Sequence, residues 1–441
     1  LNFKPDPAGL KVGPYWIRPG LTRGNVAAVI FASFVAISMT VYLSLIQPYV
    51  LNEIVKIPEA RQGAVSGALV AMSEAIAVLL VGFVGAWADR VGLRLVFCVG
   101  FLMVAGGYLL YPLATDESQL FLFRAVFAVG LSMVPVMLSI TVQDTPQEVS
   151  RGKWVATNNI CQGVGILLIA TFLLGRAPTW FQAAGLDPVM AGRLSLWSAA
   201  AICLFAATVL WRGLPRHTPN AIPKLKLLPQ FLGGLREGVD NPRLAVAFGA
   251  AFISRGDMVV VGTFLTLWVT QYGLDQGLDT AAASARGFML FGIVQISALV
   301  WAAVMGVLAD RINRMTSLCV ALLLATASYS LMGQVDDPLA RSTIPVAVLL
   351  GMGEISMIVA GGALLGQEAR ASLRGTIVGV FNLFGALGIV AVSYVGGLVF
   401  DAYGRSVPFV MMGLLNGLLL LVALAVRLRA GNPTPATATS D

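Results

Sequence analysis

The stretch GAWADRVGLR, residues 85–94, returns as GVLADRINRM, residues 306–315, at an offset of 221. Gly85, Asp89 and Arg90 meet Gly306, Asp310 and Arg311 in register, and each copy stands between two long apolar runs. A second match lies farther on, where RGKWVATNN (151–159) meets RGTIVGVFN (374–382) at an offset of 223. Arg151, Gly152, Asn159 and Gly165 thus recur as Arg374, Gly375, Asn382 and Gly388. Two pairs of matching segments at nearly one offset mark the chain as two copies of a single unit.

The rest of the chain shows what that unit is. Of its 441 residues 57% are hydrophobic and only 12% charged, far from the balance of a soluble domain. A hydrocarbon core of about 30 Å needs roughly 20 apolar residues per helical span. Windows of that length fall at 25–47, 63–84, 95–113, 119–141, 154–174, 191–212, 244–270, 284–307, 316–333, 342–366, 375–398 and 406–429. The expected fold is an all-α membrane protein of twelve transmembrane helices, arranged as two six-helix bundles related by a pseudo-twofold along the membrane normal. The bundles are expected at 25–212 and 244–429, with a polar N-terminal tail (1–24), a charged linker (213–243) and a C-terminal tail (430–441). Within the linker, PKLKLLPQFLGGLREGV reads either as an amphipathic helix on the membrane surface or as a plain flexible connection.

Basic residues set the orientation. With the N-terminus inside, the inner segments hold 20 Lys and Arg, against seven outside: Lys56, Arg61, Arg176, Arg193, Arg286, Arg341 and Arg405. Both termini are then cytoplasmic. The N-terminal segment lacks the short apolar stretch and small-residue cleavage site of a signal peptide. The net charge of +7 reads as membrane topology and lends nothing to a nucleic-acid role. Cys98, Cys161, Cys203 and Cys319 lie far apart without metal-ligand spacing, so no metal or other cofactor is expected. The single histidine, His217, lies in a loop, which leaves no imidazole relay in the membrane.

On these features the chain resembles the major facilitator superfamily, across all twelve spans. The most specific element is the loop pattern Gly-x-x-x-Asp-Arg-x-Gly followed by basic residues, met by Gly85, Asp89, Arg90, Gly92 and Arg94. The second copy keeps Gly306, Asp310 and Arg311, has Asn313 for the glycine, and carries Arg314 one place earlier than Arg94. Asparagine is among the better non-glycine residues for a left-handed turn, so a like backbone is expected there. Leu93 stands where the family usually carries a basic residue. The resemblance implies a gating latch in these loops, made when the bundles meet on the cytoplasmic side and released when they rock apart. Arg124 matches a fourth-helix arginine linked to proton coupling in the family.

Five ionisable side chains fall deep within the spans: Glu74, Arg124, Arg255, Asp257 and Glu354. Each opposes insertion by roughly 2.5 to 3.5 kcal/mol at a helix centre, so pairing, cavity water or function must offset it. Arg255 and Asp257 share ISRGDMVV (253–260), with too few apolar residues on either side for two separate crossings. At 1.5 Å per residue, Arg255, Asp257 and Glu354 all fall near the midplane. Ser254, Asp257, Phe264 and Trp268 share one helical face, while Arg255 points about 160° from Asp257. Arg255 can therefore pair with Glu354 as readily as with Asp257. The resemblance implies that the seventh and tenth helices line a central cavity, where these groups exchange protons and meet the substrate. Their alternative is a buried ion pair that only sets helix register. The repeat pairs Glu74 with Gln295, and Asn159 with Asn382, as polar cavity or interhelical contacts.

The expected function is secondary active transport of a small organic solute, coupled to protons or sodium, by a monomer alternating between two open states in a bacterial inner membrane. Arg255 near the aromatic Phe264 and Trp268 suits an anionic or zwitterionic solute. Drug or metabolite export by proton antiport is the alternative, although NNICQGVGILLIA in the fifth span lacks the proline of the family's export signature. Sugar-porter signatures are also missing after the sixth and twelfth spans. An intramembrane enzyme finds no His-Glu-x-x-His helix, aspartate pair or Walker loop here. A non-cycling, transporter-like receptor would predict degraded switch loops, and both copies survive.

Overall fold

The computed structural model describes residues 6–215, 235–369 and 373–429. Among them are twelve helices long and apolar enough to cross a membrane. They are α1 (Arg23–Ile54), α2 (Glu59–Val91), α3 (Leu93–Leu113), α4 (Glu117–Asp144), α5 (Glu148–Ala183), α6 (Pro188–Gly213), α7 (Pro242–Asp275), α8 (Thr280–Arg311), α9 (Arg314–Met332), α10 (Thr343–Glu368), α11 (Arg374–Tyr403) and α12 (Val407–Arg429). Each contains or nearly contains its sequence window, and most run beyond it, because the last turns are polar and hydropathy does not mark them. The C-terminal tail and most of the amphipathic stretch at 223–239 lie outside the described residues; residues 235–240 are helical.

Local chemistry explains several helix starts. Thr22 and Asn25 form a reciprocal capping box at α1. Asp116 accepts from Gln119 N at α4, and Asp187 from Met190 N at α6. Asn241 caps α7, where Pro242 occupies a first-turn position whose missing N–H costs nothing. The two repeated loops turn by different means. Gly92 joins α2 to α3 at φ 92°, open to glycine. Asn313 sits at φ −56°, ψ 128°, so the expected left-handed turn is absent. It works as an N-cap instead, its side-chain oxygen accepting from Met315 N and Thr316 N at 3.0 and 3.3 Å.

The chain divides into two compact units, Leu1–Lys224 with Gly262–Gly292, and Leu225–Val261 with Ile293–Asp441. Residues 262–292, at the junction of α7 and α8, thus group with the first six helices. In the first unit Gln271 Nε2 donates to Gln62 Oε1 at 3.1 Å, Thr280 donates to Glu53, and the Phe288 and Tyr42 rings stand 6.1 Å apart. Glycines bring its helices close: a Cβ on Gly107 would meet Phe127, and one on Gly165 would lie 1.9 Å from Phe34 O. In the second unit a Cβ on Gly388 would lie 2.0 Å from Phe252 O. The repeated glycines therefore do the same work, letting α5 cross the backbone of α1 and α11 that of α7.

The N-terminal segment, expected as a plain tail, folds back on the first unit. Strands β1 (Leu10–Val12) and β2 (Tyr15–Ile17) form an antiparallel hairpin. Ile17 bridges to Pro146, Trp16 N donates to Ser150 Oγ at 2.8 Å, and the Tyr15 ring meets Trp154 edge-on. The hairpin so covers the connection between α4 and α5. Polar composition at 1–24 hid it, since the two strands are only three residues each and hydropathy averaged over the segment does not mark them.

Candidate functional site

Four polar side chains from four helices converge in the second unit. Asp257 on α7 is completely buried, and both its carboxylate oxygens accept from Asn416 Nδ2 on α12, at 3.1 and 3.3 Å. The same amide nitrogen donates to Met412 O at 3.0 Å, which fixes its direction. Tyr329 on α9 and Glu354 on α10 are also buried and lie within electrostatic range of Asp257. Glu354 Oε2 and Asn416 Oδ1 have no hydrogen-bond partner, and Tyr329 Oη makes no close one, although it lies within reach of Asp257. Unsatisfied polar groups are rare in a buried core, and their gathering at one place marks a site prepared for something other than packing. Close approach of the helices again depends on glycine: Gly353 lies against Ala325 and Ser328, and Gly413 against Ser330.

Arg255 stands apart from this cluster. Its side chain is exposed, on the opposite face of α7 from Asp257, with Nη1 3.6 Å from Met258 Sδ and its stem near the Cβ position of Gly385. The pair with Glu354 is not made, and no basic side chain reaches either acid among the described residues. A π-helical turn at Val260–Phe264 follows directly after Asp257 and Val259. It inserts extra backbone into the helix, so the regular face expected to join Ser254 and Asp257 to Phe264 and Trp268 is interrupted. Phe264 and Trp268 are buried and belong to the first unit.

Arg124 is also buried, in the first unit. Its Nε donates to Ser73 Oγ at 2.9 Å, Nη2 to Ser44 Oγ at 3.0 Å and Nη1 to Gln47 Oε1 at 3.5 Å. Phe127 and Tyr111 present their rings to its guanidinium carbon at 5.2 and 6.0 Å. Glu74 on α2 and Gln295 on α8 are half-buried in different units. Asn159 and Asn382 are exposed, and the interhelical asparagine is the neighbouring Asn158, which accepts from Ser33 Oγ at 2.6 Å. In the repeated loops Asp89, Arg90, Asp310 and Arg311 are exposed, and neither aspartate makes an ion pair among the described residues. Arg94 stacks on Trp211 at 4.5 Å, and Arg314 donates to Ala363 O at 3.2 Å.

Sequence reading missed Tyr329, Asn416, Gln47, Ser44 and Ser73. Asn416 carries the clearest signal, a lone amide inside the apolar run MMGLLNGLLLL. The serines and the tyrosine carry none, because such residues are common in apolar helices. Among the described residues no group of three or more His, Cys, Asp or Glu side chains is placed to hold a metal ion.

A family model described as Major Facilitator Superfamily matches residues 28–393. Magnetosome protein MamH of Paramagnetospirillum magneticum (strain ATCC 700264 / AMB-1) is 25% identical over 92% of this chain and 92% of its own length. Magnetosome protein MamZ of the same organism is 25% identical over 87% of this chain, which spans 60% of MamZ. Tetracycline resistance protein, class D, of Salmonella ordonez is 24% identical over 94% of this chain and 98% of its own length. Among solved structures, the nucleoside transporter NupG superposes with a TM-score of 0.73 at 14% identity, covering 92% of this chain and 99% of NupG.

Proposed function

Since the chain belongs to the major facilitator superfamily and has the family's transporter fold, we propose that it is a proton-coupled secondary transporter of a small organic solute, working by alternating access between its two six-helix halves. The observation that carries this reading is the Asp257–Glu354 pair, two buried carboxyl groups within electrostatic range of each other and without a basic partner among the described residues. Two like charges in a site of low polarity oppose each other, so such a pair holds a proton and can release it when the site opens to water. Asn416 orients Asp257, and the Tyr329 hydroxyl offers a donor or acceptor beside it. Arg255, on the other face of α7, supplies the positive charge for an anionic or zwitterionic solute. Both termini are cytoplasmic in this reading, and the membrane is a bacterial inner membrane, as the basic loops and the bacterial relatives support.

Export by proton antiport is the second reading, and the 24% identity to a tetracycline resistance protein is consistent with it. One experiment tests both. Proteoliposomes under an imposed pH gradient, offered organic anions, amines, nucleosides and lipophilic drugs, are expected to accumulate or expel one class. The sign of the flux gives the direction. Asp257→Asn is expected to abolish gradient-driven accumulation while leaving exchange of labelled for unlabelled solute intact. Unchanged accumulation in Asp257→Asn and Glu354→Gln together would overturn the coupling role.

A further inference from the structure

Arg124 carries a second, independent observation. Its side chain is only 2% exposed, and every partner it has is neutral: Ser44, Gln47, Ser73 and two aromatic rings. No carboxylate among the described residues pairs with it. An ion buried without a counter-charge is penalised even after relaxation, and cation–π contact offsets only part of that penalty. The three hydrogen bonds also leave guanidinium N–H groups unused, since arginine has five.

The surroundings repeat the same deficit. Gln47 turns its oxygen toward Arg124, which leaves Nε2 buried without a partner. Tyr111 Oη, at the end of α3, is likewise buried; it makes no close hydrogen bond, lies beside the guanidinium that it can only accept from, and keeps its own proton to donate. Each of these groups can donate, and no negative charge stands among them. We propose that Arg124, Gln47 and Tyr111 form a buried binding site for one monovalent anion, a halide ion or a carboxylate. A single guanidinium balances a single charge, which disfavours phosphate or sulfate. The site lies wholly within the first unit and does not depend on the role given to Asp257 and Glu354.

A halide and the carboxylate of a transported solute share this chemistry, and the test separates them. Thermal unfolding of the full-length protein in lipid nanodiscs is measured in sodium chloride, formate, butyrate and gluconate at one ionic strength, gluconate being the reference because its long polyhydroxylated chain is too bulky for a site whose residues are fully buried. A saturable rise in midpoint over gluconate is expected, with chloride active if the occupant is a free halide, and only formate and butyrate active if it is a solute carboxylate. Arg124→Gln is expected to remove the rise, and Tyr111→Phe to raise the half-saturating concentration about fivefold, the worth of one hydrogen bond. Gln47→Glu sets a carboxylate beside the guanidinium. That variant is expected to unfold in gluconate no earlier than the wild type does in its active salt, with no further response to anions, and it carries the test if Arg124→Gln fails to fold. Equal midpoints in all four salts, or a wild-type response in Gln47→Glu, would overturn the site.

Discussion

Asn416 Nδ2 lies 3.1 and 3.3 Å from the two carboxylate oxygens of Asp257, across 159 residues of chain. Hydrogen bonds to a charged or ionisable group in a buried site are worth about 1.5 to 3 kcal/mol. Asn416→Leu is therefore expected to lower stability by about 2 kcal/mol. In an Asp257→Asn background the same substitution is expected to cost less, and a double-mutant cycle on unfolding midpoints measures the difference. Strict additivity would argue that the contact carries no coupling.

The repeat contains glycines of two kinds. A Cβ on Gly165 or Gly388 would run into the carbonyl of Phe34 or Phe252, whereas one on Gly152 or Gly375 would meet nothing within 4 Å. Gly165→Ala and Gly388→Ala are each expected to destabilise by about 1 to 3 kcal/mol through overpacking. Gly152→Ala and Gly375→Ala should stay within about 0.5 kcal/mol. Thermal unfolding of the four single variants decides the matter, and equal losses would refute the division.

The loop glycine and its replacement differ in the same way. Gly92→Ala forces a side chain into positive φ and is expected to cost about 1 to 2 kcal/mol. Asn313→Gly should cost a few tenths, and Asn313→Ala about 1 kcal/mol, as for loss of an N-cap. If Asn313→Gly proved as harmful as Asn313→Ala, the capping account would be wrong.

Each half also ties the chain at, or a few residues before, the start of its first helix to the end of its fourth with an ion pair. Arg18 meets Asp144 at 3.6 Å, with both side chains about half exposed, and Arg243 meets Glu368 at 3.8 Å with 12% and 10% exposure. Asn241 Nδ2 adds a bond to Glu368 at 3.0 Å. Asp144→Ala is expected to cost under about 1 kcal/mol, and Glu368→Ala about 2 kcal/mol, because the part-buried Arg243 and Asn241 both lose a charged acceptor. Added salt should erase the first loss and spare most of the second.

Hydropathy and two short repeats were enough to place twelve helices, because a bilayer demands unbroken apolar runs and those runs are local properties of the chain. The same reading picked out Arg124, Asp257 and Glu354 as charges needing an explanation, since their cost in hydrocarbon depends on residue type and depth alone. Partnership is not local. Arg255 lies two residues from Asp257, yet helical geometry turns the two side chains to opposite faces, and Asp257 is met instead by Asn416 on the last helix. Arg124 finds Ser44, Gln47 and Ser73 on two other helices, where nothing in the spacing marks them. Polar contacts within the membrane are set by which helix faces pack together. That packing joins residues from 51 to 159 positions apart, and it alone decided what surrounds each buried charge.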